Sequence, residues 1–134
     1  MKTPIWVTGS AVRQIHRHQI AQFGGITGTR DEGMLESALG RPVNLWLYEQ
    51  ATISQLAAAY AFGIAMNHPF ADGNKRTAFV VSVLFIELNG RSFFADEVQS
   101  ATTFISLAAG DLGEKDLATW FEKWSKPIDG KTVQ

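Results

Sequence analysis

The strongest constraint on the fold is the run AFVVSVLFIEL, Ala78 to Leu88, in which only Ser82 and Glu87 are polar. Phe79, Val80, Val81, Val83, Leu84, Phe85, Ile86 and Leu88 cover nearly every face of a helix. That pattern marks a helix buried at the centre of a domain. Its β-branched residues would also suit a buried strand, but its length favours a helix, and Asn89-Gly90 supplies a C-terminal stop. The run falls well short of the ~20 apolar residues a bilayer span needs. An all-α bundle around one central buried helix is therefore expected.

The rest of the chain supplies the covering helices. A first helix is expected from Ser10, burying Val12, Ile15 and Ile20 and stopping at Gly24-Gly25. GITGTR reads as a loop by its glycines. Asp31 then caps a short helix with Met34, Leu35, Ala38 and Leu39, closed by GRP. VNLWLYE, Val43 to Glu49, is compatible with either an extended segment or a helix. Ile53 to Met66 reads as an Ala-rich helix with Leu56, Tyr60 and Ile64 at helical spacing. Two more are expected over Asp96 to Ala108 and Glu114 to Ser125, the last with Leu117, Trp120, Phe121 and Trp124 on one face. Residues 1–126 form a single expected domain, and 127–134, KPIDGKTVQ without its first lysine, a flexible tail.

Composition narrows the function classes. Apolar residues make up 46 %, enough for a core, and the net charge of −1 with no basic block argues against a dedicated nucleic-acid binder. One phosphorylated small molecule would need only a few local cations. Without cysteine there can be no disulfide, thiolate metal site or Cys nucleophile. MKTPIWVTGS lacks the apolar stretch of a signal peptide, so a cytoplasmic domain without membrane contact is expected.

The chemistry gathers just before the apolar run, in NHPFADGNKRTAF, Asn67 to Phe79. Pro69 biases His68 away from α geometry towards extended conformations. The preceding helix should thus end near Asn67, with HPFADG as a loop and Gly73 permitting a tight turn. The first N–H groups of the next helix, around Asn74, Lys75 and Arg76, then lack intrahelical partners. With the positive end of the helix dipole behind them they suit a phosphate. Lys75 adds a point charge and Arg76 a planar fork, while Asn74 can cap the helix or donate its amide. Asp72 beside a phosphate calls for a cation between them, and Mg²⁺ is held by one or two carboxylates plus substrate phosphates. His68 supplies an imidazole, suited to taking a proton from a hydroxyl nucleophile. Phe70 is read as an anchor in the core.

Each residue also has a bland reading: Asp72 as an N-cap, Asn74 as an Asx-turn residue, Lys75 and Arg76 as a solvated first turn. Jointly, polar groups of complementary roles at the mouth of a rigid buried helix point to Mg-assisted transfer from a nucleotide phosphate. His16 and His18, at i, i+2, face different directions on their helix and are read as surface residues.

HPFADGNKRTA resembles the signature loop of the Fic/Doc superfamily, specifically its death-on-curing (Doc) branch. FGGITGTRDEGMLESALGRP is similar to the Doc-type N-terminal region, and with ELNG the resemblance runs roughly from the first helix to Gly110. It implies an all-helical Fic/Doc fold whose central loop binds ATP and Mg²⁺. Typical Fic proteins, which attach AMP to target hydroxyls, read HPFx(D/E)GNGRxxR. By that match His68 resembles the catalytic base, Asp72 the metal-binding acid, and Asn74 and Arg76 the phosphate-binding pair, with Gly73 and Lys75 in the same nucleotide-binding turn.

Two positions depart. Lys75 replaces a glycine, filling space over the anion site, and Phe79 stands where the second arginine would be. Both match the Doc branch, where the nucleotide lies reversed and the γ-phosphate passes to a Thr hydroxyl of translation elongation factor Tu. The resemblance thus implies a kinase toxin that arrests translation and is restrained by an antitoxin. Pro69 and Gly73 follow the Fic loop instead, so AMP transfer is the alternative, and an inactive Fic-fold binding module a third. The self-restraining string (S/T)xxxE(G/N) is absent from the sequence, which implies an external partner. VNLWLYEQ lies where the family often has a target-docking flap, with Trp46 and Tyr48 divided between docking and core packing.

Overall fold

Short polar side chains set most of the helix starts, because each can take up a backbone N–H that the helix leaves unpaired. The computed structural model describes residues 2–128. Along the chain it forms α1 (Gly9–Phe23), α2 (Glu32–Glu49), α3 (Ile53–Asn67), α4 (Asn74–Leu88), β1 (Arg91–Phe93), α5 (Glu97–Ala108), α6 (Glu114–Lys123) and β2 (Ser125–Pro127). Thr8, Asp31, Thr52 and Asp96 cap α1, α2, α3 and α5. At α3, Gln55 returns a bond to Thr52 N at 2.8 Å, completing a capping box. The first helix therefore starts from Thr8, ahead of Ser10. The all-α class holds, and one two-stranded sheet is added to it among the described residues.

The innermost helix is α3, and α4 is second to it. Leu56, Ala57, Ala58, Ala59, Tyr60, Ala61 and Ile64 are all buried, whereas Val80, Val83 and Leu84 of α4 are only half-buried and Leu88 is exposed. Size decides this where hydropathy does not: alanines let α2, α4 and α6 come close on several sides at once. At Gly63 a Cβ would lie 3.2 Å from Ala38 Cα, so α2 and α3 nearly touch backbone to backbone. α4 still supplies the large side chains, Phe85 packing between Trp6 (centroids 5.9 Å) and Tyr60 (5.1 Å).

Expected boundaries also fail in the middle and at the end of the chain. GRP does not close the second helix, which runs through buried Pro42 to Glu49 and stops at Gln50 in the left-handed region (φ 48°). Proline removes one helical N–H, but Leu45 and Trp46 beyond it pack against the core, and that tertiary packing outweighs the local break. The VNLWLYE segment is thus helical, with no extended flap there. Trp46 packs inward while Tyr48 is 82 % exposed, the division expected for the pair. The last helix ends at Lys123, and Ser125 pairs with Phe93 in the antiparallel β1–β2 ladder. Pro127, placed in the tail from the sequence, belongs to that ladder, and Ile128 N donates to Gly90 O at 2.9 Å. The remainder of the expected tail, 129–134, lies outside the described residues.

Tyr60 ties the N-terminal segment to the core: its hydroxyl accepts from Val7 N at 3.0 Å and donates to Val7 O at 3.2 Å. Burial pushes this hydroxyl up to about 12, against the opposing pull of the Val7 N–H that donates to it. Raised above its unfolded value, the group contributes stability that is intact at neutral pH and lost as pH rises towards about 12. Tyr60→Phe should cost about 1–3 kcal/mol in chemical denaturation, because both polar groups of buried Val7 lose their partner. A change under a few tenths would show that water or a backbone shift replaces the hydroxyl.

Candidate active site

The turn between α3 and α4 is held by side chains from far away in the sequence. α3 ends at His68, which leaves α geometry for the left-handed region (φ 48°, ψ 55°) and not for the extended conformation expected ahead of Pro69. Arg30 fixes that end: its Nε donates to His68 O at 2.7 Å and a terminal nitrogen to Asn67 O at 3.0 Å. The cation thereby also neutralises the negative end of the α3 dipole. The loop after α1 lies alongside, with Arg30 N and Asp31 N donating to Pro69 O, Ala71 N donating to Gly28 O, and a bridge between Thr29 and Phe70.

Phe70 is buried, as the anchor role requires. Asn74 holds the turn closed with both arms of its amide, accepting from Phe70 N and donating to Phe70 O, each at 3.0 Å. Its side chain is thus spent on the loop and does not cap α4; what Asn74 can offer an anion is its backbone N–H. Gly73 precedes the helix at φ 73° and carries no side-chain cap. The first N–H of α4 with a backbone partner is that of Thr77, to Gly73 O at 3.0 Å. Those of Asn74, Lys75 and Arg76 have no partner among the described residues. Lys75 is exposed, and Arg76 is half-buried with one nitrogen on Gly24 O at 3.0 Å and its guanidinium 5.3 Å from the Phe23 ring centroid.

Asp72 is exposed and its carboxylate is gripped by backbone. Oδ1 accepts from Gly73 N at 2.9 Å and Oδ2 from Ile26 N at 3.3 Å. These two N–H groups, Gly73 first, hold the carboxyl below its ordinary value, with a smaller pull from Arg76. A depressed value means that the anion persists to lower pH than it would on an unperturbed aspartate. A Cβ on Gly25 would lie 2.8 Å from Asp72 Oδ2, so only glycine leaves room for the carboxylate there.

An ionised, exposed carboxylate beside unpaired N–H groups fits a hard cation shared with phosphate oxygens. Among the described residues no three His, Asp or Glu side chains cluster to enclose a metal by themselves. Such a cation would therefore rely on ligand oxygens and water, as Mg²⁺ commonly does. An open groove of about 1230 Å³ along α2 and α6 includes no residue of this loop. The chemistry of the loop carries more weight than the size of that groove.

His68, Asp72, Gly73, Lys75 and Arg76 thus share one loop–helix junction. His68 is exposed at its edge and makes no side-chain hydrogen bond among the described residues. His18 is exposed as expected, but His16 is not a surface residue: it is 3 % exposed beneath the loop. Its helical neighbours at four-residue spacing, Val12 and Ile20, are both buried, and that spacing was the available signal. Arg30, at the end of GITGTR, carries no local mark that distinguishes it from a solvated arginine.

The family model described as the Fic/DOC family matches residues 6–86. The protein kinase doc of Escherichia phage P1 is 32 % identical over 105 residues, covering 78 % of this chain and 82 % of that protein. The toxin Doc of Mycolicibacterium smegmatis is 39 % identical over 77 residues, 55 % of this chain and 58 % of that one.

Proposed function

Since the chain belongs to the Fic/Doc family, we propose that it is a Doc-like toxin that transfers the γ-phosphate of Mg-bound ATP to a hydroxyl of a protein target. The observation that carries this reading is the junction itself. Exposed His68, ionised Asp72 and three unpartnered N–H groups lie on one turn with Lys75 and Arg76. The relative named a protein kinase supports phosphoryl transfer; on the resemblance of HPFADGNKRTA to the Doc branch, the target would be elongation factor Tu, the result a block of translation, and an antitoxin the restraint. Among the described residues no helix is long and apolar enough to cross a membrane.

The chain's own residues divide the work. His68 accepts the proton of the target hydroxyl as it attacks. The N–H groups of Asn74, Lys75 and Arg76, backed by the α4 dipole, bind phosphate oxygens, and Arg76 and Lys75 offset their charge. Asp72 holds the cation. Mg²⁺, when bound, neutralises the charge that develops on the transferring group. His68 stands in the open, which suits a hydroxyl presented by another macromolecule.

A transfer assay with ATP labelled separately at the α and γ phosphates tests the reading. Label reaching protein only from γ supports a kinase. Label from α would make AMP transfer the activity, a second reading favoured by Pro69 and Gly73, which follow the Fic loop. Lys75→Gly should shift the product towards AMP transfer, as mass spectrometry of the target would read, because it removes the side chain covering the anion site. An unaltered product would take nucleotide orientation away from Lys75.

A further inference from the structure

One buried side chain beneath the loop has no part in the chemistry above. The His16 ring stacks on Phe70 with centroids 3.8 Å apart and planes 8° from parallel. Its Nε2 lies 2.8 Å from the backbone oxygen of Asp72. A carbonyl oxygen only accepts, so Nε2 carries the proton and donates. That oxygen belongs to the same peptide unit as Gly73 N–H, which donates to Asp72 Oδ1 at 2.9 Å. One peptide plane is therefore pinned at both ends, by His16 on its carbonyl and by the Asp72 carboxylate on its N–H.

The surroundings leave this plane little freedom. A Cβ on Gly73 would lie 3.0 Å from Ile20 Cδ1 and 3.8 Å from His16 Cδ2, so α1 packs directly under the turn. An apolar ring in place of His16 could still stack on Phe70. Only a donor fixes the rotation of the Asp72–Gly73 peptide, and through the Gly73 N–H that rotation sets the carboxylate.

We propose that His16 is a positioning residue: by holding the Asp72 backbone oxygen it sets the Asp72 carboxylate in the orientation that binds the nucleotide's cation. The proposal rests on the metal-assisted reading of the loop. It concerns how the loop is aimed, and His16 touches neither target nor nucleotide.

Calorimetric titration of ATP into the purified protein, with Mg²⁺ or with EDTA in its place, tests this alongside thermal unfolding. His16→Phe keeps a stacking ring and removes the donor. It should weaken Mg-dependent ATP binding about tenfold, the scale of outer-shell effects on metal sites, and leave binding in EDTA unchanged. His16→Gln, which restores an N–H donor, should recover most of the loss. If His16→Phe does not fold, His16→Met fills the space without a donor and takes its place. Undiminished Mg-dependent binding in the donor-free variant would overturn the role of His16 alone. So would equal losses with Mg²⁺ and with EDTA, which mark a general structural part. Wild-type protein whose ATP binding ignores Mg²⁺ would overturn the metal-assisted reading itself, and this proposal with it.

Discussion

His68→Ala should lower single-turnover transfer from labelled ATP by a factor of about 10²–10⁴, the usual contribution of a positioned general base. The melting temperature should barely move. The imidazole is exposed and makes no hydrogen bond among the described residues, while the residue's carbonyl is held independently by Arg30. Removing the ring therefore leaves the end of α3 where it was. The left-handed backbone at this position is the one complication, since alanine tolerates it less well than asparagine does. His68→Asn is the matching control: it suits that backbone but cannot take up the proton. Equal and severe loss in both variants assigns the effect to the missing base. Transfer at near wild-type rate in either would remove His68 from that role.

Phe85→Ala is the substitution expected to cost most in stability, about 3–5 kcal/mol. Phe85 is fully buried in α4 and meets rings on two sides, Trp6 from the N-terminal segment and Tyr60 from α3. A domain of this kind has only about 5–15 kcal/mol in hand, so a large part of its margin would go with one side chain. Urea denaturation monitored by circular dichroism reads this directly. A loss under 1 kcal/mol would mean that the neighbouring rings collapse into the space, and that α4 is less tightly seated than its contacts suggest. Because α4 carries the proposed anion-binding end of the site, the same variant should lose the proposed transfer activity at lower temperature than the wild type.

The helices were legible where local chemistry and packing agree. Asp31, Asp96 and the Pro69–Gly73 turn each mark a boundary that tertiary structure leaves alone. At Pro42 the two disagree: the sequence signals a stop, yet the buried face beyond it keeps the helix running. The three-residue strands are too short to show a period, so only the pairing of Arg91–Phe93 with Ser125–Pro127 reveals them. Hydropathy weighs valine above alanine and so points to α4 as the innermost helix, whereas closeness of approach favours the smaller residues of α3.

The candidate site divides in the same way. His68, Asp72, Gly73, Lys75 and Arg76 are neighbours in the chain, so their spacing alone discloses them. Their supports are not. Arg30 reaches His68 across 38 positions, Ile26 reaches Asp72 across 46 and His16 reaches it across 56. No local window contains both ends of such contacts, and a lone arginine or histidine in a helix or loop carries no mark of its distant partner.

This separation makes the candidate turn a joint between two pieces of chain. Cutting at Gln50, an exposed left-handed residue between α2 and α3, would leave the entire HPFADGNKR string on the second piece. The side chains of His16 and Arg30, the Ile26 N–H and Gly25, whose missing side chain leaves room for the Asp72 carboxylate, would remain on the first. Neither fragment would hold an aimed site, and mixing them would restore one only if α2 finds its seat against Gly63. A split protein of this kind would report complementation as enzyme activity.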